Sequence, residues 1–524
     1  MTSRLIAATA FAIACSVPAP AGAADEPAQL GNVHFETTCN EIAQRRFDRA
    51  MRYQHSFWYR AAREVFQEAA NADPACAIAF WGMALTYLDN PHFSIPAPNV
   101  APGYQAIEKA RAIGAKSERE RDLIEALALM YVDADKLGHA QRIRAYLGAM
   151  EKLTAKYPAD DEAQILYAIT LNTSASPNDK TYAQQLKGAA ILLPIWKRQP
   201  QHPGVAHYLI HLYDYPAVAE KGLVAANEYA KIAPAAPHAQ HMPSHIFTRV
   251  GYWKESIESN AASVKAAKAD KEYGDQLHGQ DYQVYAYLQL GRDSDARAAI
   301  DDMNATVGNP NIRASAFALA ASPARYMVER NDWSGAAALE VRPSVFAFVP
   351  AITHFARALG AARSGKAEAA RADIAKLAEL RDKLREQKDA YWAEQVDIQH
   401  QVASAWVLNA EGKREEAVKL LSAAANAEDG TEKAPVTPGP LAPARELLGV
   451  MLLEHGKAAE ALAAFEATKL KEPNRFHGYA GAAQAADKLR DKATARANYE
   501  KLMALAGGGA RPEIAAARQY LAAN

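Results

Sequence analysis

Cysteine, aromatic side chains and excess charge are all scarce in this chain. Of 524 residues only three are cysteine, 8% are aromatic, and 59 basic against 60 acidic residues leave a formal net charge of −1. That balance argues against a nucleic-acid binder or a polybasic membrane ligand. A glycine-rich phosphate loop, a nucleophile elbow, a zincin helix and a paired-cysteine zinc motif are also missing, which sets aside the common hydrolase, kinase and oxidoreductase families. No stretch is long and apolar enough to span a bilayer. What is present is a chain 50% hydrophobic, rich in alanine, and able to bury a sizeable core.

The first residues, MTSRLIAATAFAIACSVPAPAGAADEP, combine a basic start at Arg4, an apolar run from Leu5 to Ala14 and small residues at Ala21-Gly22-Ala23. This is the plan of a secretory signal over 1–23, cleaved after Ala23, so the mature protein is expected in the periplasm or secreted. Cys15 follows Ala12-Ile13-Ala14, a poor lipobox. Cleavage leaves Cys39 and Cys76 as a lone pair, and in an oxidising compartment such a pair is expected to bond.

An internal repeat decides the fold class. Ala62, Phe66, Ala69 and Pro74 follow one another at offsets of four, three and five, and Ala461, Phe465, Thr468 and Pro473 repeat the frame. Ala495, Tyr499 and Leu502 restart it 34 residues after Ala461, Phe465 and Thr468. Small residues let two helices approach, a large apolar residue fills the groove, and proline stops the second helix. Glycines at 251, 291, 365, 412 and 456 mark turns between paired helices. The period and these residues resemble the tetratricopeptide repeat, and the chain is similar to exported bacterial proteins of that family. HMPSHIFTRVGYW and VTPGPLAPARELLG look like signature segments of a subgroup of that family. The resemblance implies an all-α fold, a right-handed α-solenoid of helical hairpins over 43–524, preceded by a lead-in over 24–42. Roughly ten to twelve hairpins would fill it. Proline- and glycine-rich stretches at 90–104 and 427–443 are expected to be loops, the second a candidate to fold over the inner face. In this frame Cys39 and Cys76 flank the first hairpin, whose ends lie together, so their disulfide would staple it.

Histidine is distributed unevenly. Seven of the fifteen fall between His202 and His278, where an even spread would place about two. With the turn glycine at position fifteen, repeats begin near Pro203, Pro237 and Leu277. The family resemblance implies that positions two, five, nine and twelve of each first helix line a concave groove. That places His207, His211 and Asp214 there from the first repeat, His238, His241 and His245 from the second, and His278, Asp281 and Tyr285 from the third. Histidines at i and i+4 share a helix face and chelate one ion, with further ligands from the adjacent helix. The expected metal ligands are His207, His211, His241 and His245; Asp214, His238, His278, Asp281 and Tyr285 are further metal or ligand-binding candidates. Imidazole with carboxylate suits a divalent transition metal such as zinc, copper or iron rather than calcium. Pro243 either kinks its helix or begins it late, and in the second case His238 and His241 lie on a loop.

His202, before a proline, reads as a turn residue. His55, Phe57, Trp58 and Tyr59 read as inter-helix packing. Arg325 and Glu446 read as salt-bridged surface residues. Three functional readings stand side by side. One is an exported solenoid that binds a protein or small ligand in its groove and carries a histidine-held metal. Another is a metal-free protein scaffold, and plain hydrogen bonding or an anionic ligand would equally occupy such histidines. The last is a metal-dependent enzyme in which Asp281 or a histidine moves the proton and Tyr285 orients an oxyanion.

Overall fold

In the computed structural model, which describes residues 29–306 and 311–523, helices start where the sequence supplies an acceptor for their free N–H groups. Asn40 accepts from Ala43 N, Ser117 from Glu120 N and Asp491 from Thr494 N. Each satisfies a donor that a helix start otherwise leaves open. The hairpins turn where the repeat frame puts glycine: Gly251, Gly291, Gly365, Gly412 and Gly456 all have φ between 65 and 79°, a region that costs a side chain energy. The signal segment lies outside the described residues.

The described residues form 26 α-helices and no strand, an all-α solenoid of tetratricopeptide type in which successive helices pack as antiparallel neighbours. The repeat pattern shows directly in the packing. A Cβ on Gly82 would overlap the Phe66 ring, and a Cβ on Gly481 would overlap the Phe465 ring. Both pairs are sixteen residues apart, so the same large residue of a second helix fills the same bare spot on the following first helix.

Two loop boundaries differ from expectation. A helix, Ala97–Ile113, already occupies much of 90–104, because Pro96 and Pro98 fall at its start, where a missing N–H costs nothing. The other insertion is non-helical from 430 to 443, after the helix Arg414–Asp429. It is pinned across first helices of distant repeats: Tyr282 donates to Thr437 O (3.2 Å), Arg325 to Gly439 O (3.3 Å) and Tyr391 OH accepts from Ala434 N (2.8 Å). The chain's own segment therefore covers the faces that the repeat frame assigns to the groove.

The solenoid also curls until remote repeats meet. Trp58 and Arg60 reach Glu272 (3.3 and 2.8 Å), Trp253 donates to Asn474 O (2.7 Å), and Arg511 pairs with Asp293 (2.6 Å). The lead-in is held too, with Ala235 N donating to Gln29 O and Asn32 N to Gln201 O, while Phe35 is buried against Phe47 and Trp81. Cys39 and Cys76 are joined, their Cα atoms 4.9 Å apart, and Asn40 donates to Ala72 O (2.8 Å) across the same hairpin ends. Closing that 37-residue separation contributes about 3 to 4 kcal/mol on the chain-entropy account. Reduction, or Cys39→Ser, is therefore expected to lower the urea midpoint of the N-terminal repeats; an unchanged midpoint would show that the bond adds nothing.

Candidate metal centre

The helix Pro203–Tyr213 carries His207 and His211 one turn apart, and their Nε2 atoms stand 3.1 Å from each other. Thirty-four residues on, His241 and His245 repeat the arrangement, Nε2 to Nε2 at 2.9 Å. Pro243 does separate two short helices, Pro237–His241 and Pro243–Arg249, but Met242 between them keeps helical angles of −54° and −36°. The helix bends without being interrupted, so His238 and His241 are helical and the i,i+4 pairing survives.

Each pair gains a third imidazole from the next repeat. The ligand atoms of His207, His211 and His238 lie within 4.8 Å of one another, and so do those of His241, His245 and His278. The four histidines expected to form one set are thus divided between two triads. They adjoin: the rings of His211 and His245 are 6.1 Å apart, as are those of His238 and His241. Phe57 packs on His207, His211 and His238, and Tyr282 on His241, His245 and His278.

The outer partners of these rings determine which nitrogen carries the proton. His207 Nδ1 faces the His55 carbonyl at 2.6 Å, which only accepts, so the proton sits on Nδ1. Asp214 accepts from His245 Nδ1 at 2.8 Å. Asn260 spends its amide N–H on Ser256 O, which turns its oxygen to His241 Nδ1 at 2.6 Å. In the neutral ring each of these Nε2 atoms is then a bare lone pair aimed inward. This is the outer-sphere arrangement that orients metal-binding imidazoles. His238 Nε2 and His278 Nδ1 are buried and have no hydrogen-bond partner.

Burial keeps the rings uncharged. It lowers His207 and His278 to about 3, and takes His211, His238 and His241 well below their ordinary value. His245 is lowered by burial, against the pull of Asp214. Burial alone would raise the Asp214 carboxyl, but Lys433 at 2.8 Å, Arg249 at 2.9 Å and His245 hold it below the usual carboxylate range. Lys433 arrives from segment 430–443 and is itself lowered to about 8 by burial, opposed by Asp214. Beyond it lies a pocket bordered by Arg249, Tyr391, Trp392, Glu428, Lys433 and Glu472.

Several sequence assignments need correcting. Asp214 orients His245 instead of facing the triads. Asp281 is paired with Arg325 (2.6 Å) and Ser322 (2.8 Å), and Tyr285 accepts from Arg475 (2.8 Å) and packs on Trp253. At 100° per residue, Tyr282 follows His278 on one side by about 40° while Asp281 falls about 60° to the other, and Tyr285 sits about 10 Å further along the axis. Arg325 and Glu446 are ion-paired as expected but buried rather than on the surface, Glu446 with Arg475 at 2.9 Å, because segment 430–443 and the C-terminal repeats cover them. His202 caps the helix Pro203–Tyr213 and also shares Glu162 with His55 (2.8 and 3.0 Å). Burial would raise the Glu162 carboxyl, and the two imidazoles reverse this and hold it low. This third cluster satisfies itself by hydrogen bonds and anchors the His55 carbonyl under His207. His92, from the loop after Asp89, lies 4.4 Å ring to ring from His211 with its Nε2 buried and unpartnered. His92, Glu162 and Asn260 carried no signal in the sequence: His92 comes from a loop, Glu162 from an earlier repeat, and Asn260 from the second helix of His241's own hairpin, Trp253–Asp270, outside the first-helix faces that the frame marks.

No protein-family model matches the chain, and no curated protein matches it. Among solved structures it is similar to one of Naa15/Naa10 bound to HypK-THB, at 12% identity over 91% of this chain and 73% of that chain with a TM-score of 0.24. It is also similar to yeast Tom70, at 13% identity over 92% and 95% with a TM-score of 0.28. Likeness at that level assigns no function to this chain.

Neutral burial has a pH consequence. The unfolded chain takes up protons near 6.5, whereas the folded rings resist until about 3 for His207 and His278 and about 4 for His92. Across that window the unfolded state binds more protons, so stability is full above 6.5 and falls as pH drops, by up to about 1.4 kcal/mol per pH unit for each imidazole. Thermal scans of the metal-free protein should show a level Tm between about pH 7 and 8, below the range in which Lys433 titrates, and a steep fall between about 6.5 and 4; a Tm flat through that lower window would refute neutral burial.

Proposed function

We propose that this protein is a metal-binding helical-repeat protein whose histidine chamber holds a transition metal, and that it works after export with its leader removed. The observation that carries the reading is the meeting of His241 Nε2 and His245 Nε2 at 2.9 Å with both Nδ1 protons committed to Asn260 and Asp214. Two lone pairs at that distance repel unless a proton or a cation lies between them, and burial disfavours the proton. An ion about 2.0 to 2.1 Å from each nitrogen at a tetrahedral angle sets them about 3.3 Å apart, a few tenths from what is found. Three neutral imidazoles without thiolate or carboxylate suit copper and zinc. The joined cysteines support the oxidising compartment that export implies.

Protein binding, the common use of helical repeats, is the second reading and rests on the fold class. A partner in the groove would first have to displace segment 430–443. The catalytic reading keeps a histidine as proton carrier, while Asp281 Oδ1 is held by Arg325 and Ser322 and Tyr285 by Arg475.

Untagged protein, stripped with chelator, reloaded with copper(II) or zinc(II) and dialysed, should retain at least one equivalent by elemental analysis. The His207→Ala, His211→Ala, His241→Ala, His245→Ala combination should retain none, and Asp214→Asn should weaken binding 10- to 100-fold by disturbing His245. Substoichiometric metal in the native chain, or undiminished metal in the fourfold variant, would overturn the proposal.

A further inference from the structure

The two triads are one motif used twice. His207 and His211 are offset by 34 residues from His241 and His245, each pair meets Nε2 to Nε2, and each takes its third ring from the first helix of the following repeat. Both have a backbone or side-chain acceptor behind a ring, the His55 carbonyl in one and Asp214 and Asn260 in the other. One repeat earlier His207 Nε2 likewise presents its bare lone pair to His211 Nε2 at 3.1 Å, and the buried, unpartnered His238 Nε2 completes that triad. The step between the two is short, because equivalent rings His211 and His245 are 6.1 Å apart, less than the 8 to 10 Å between packed helix axes. The tight inward curl brings the facing side chains closer together than their helices.

We infer that the chamber is a paired copper centre, one ion held by His207, His211 and His238 and the other by His241, His245 and His278, with His92 beside the first as an additional donor. The inference rests on the metal reading above and adds the number of ions, their nature and their proximity. His92 is an independent pointer: it comes from a loop outside both repeats, its ring lies against His211, and its buried Nε2 has no partner. An unpaired buried nitrogen costs free energy unless something fills it. Three unpartnered imidazole nitrogens, on His92, His238 and His278, thus surround the two facing pairs. Copper is the choice because uncharged nitrogen donors bind it above the other divalent first-row ions. The cluster of His55, Glu162 and His202 is left out of the pair, since both carboxylate oxygens are already met by imidazole.

Chelator-stripped, untagged full-length protein is titrated with copper(II) and its electron paramagnetic resonance recorded at each step. Two equivalents should be retained against dialysis, and the second should broaden or quench the signal of the first through coupling between neighbouring ions, with a half-field transition. His207→Ala combined with His238→Ala, and separately His241→Ala combined with His278→Ala, should each hold one equivalent with an ordinary uncoupled copper(II) spectrum. Because the native titration is decisive by itself, a variant that fails to fold does not rescue the idea. One equivalent in the native chain, or two that integrate to two uncoupled spins, overturns the pair and leaves the metal reading intact. No retained metal overturns both.

Discussion

Everything around the centre of this molecule follows from keeping imidazole rings dry and neutral. A ring removed from water gives up its proton readily, and once neutral it has one donor and one acceptor to place. In each facing pair at least one donor is placed outward, on the His55 carbonyl, on Asn260 or on Asp214. Between His241 and His245 both acceptors are left pointing at one another. Phe57, Tyr229 and Tyr282 pack against the rings, which maintains the low dielectric that keeps the protons off.

Charge is kept near the chamber but outside it. Asp214 is matched by Arg249 and Lys433, Asp281 by Arg325, and Arg475 by Glu329 and Glu446. Buried pairs of this kind repay their desolvation poorly as stability. Here they connect parts of the chain that the repeat alone would leave apart: Lys433 ties segment 430–443 to Asp214 at the end of the helix Pro203–Tyr213, and Arg475 ties a C-terminal repeat to Tyr285. A scaffold whose repeats ordinarily touch only their neighbours is thereby closed around one interior.

The fold and half of the centre were legible in the residues because they are local properties. A 34-residue period, a glycine at each turn and small residues one helical turn from a large apolar one are set by helix geometry over a single hairpin, and so is the placing of His207 beside His211 and of His241 beside His245. Pro243 left the second pair undecided until Met242 proved helical. Which rings complete each triad depends on how far the solenoid curls, a sum of small rotations that no single repeat encodes. His92 and Glu162 enter through contacts between separate repeats, Asn260 enters from the second helix of His241's own hairpin, and Asp281 and Tyr285 leave through a rotation of the same helix that carries His278. Sequence by itself determined the repeat and the imidazole pairs, since i,i+4 spacing suffices for both; only the tertiary structure decided that two triads share one buried chamber, because that needs helices from separate repeats within side-chain reach.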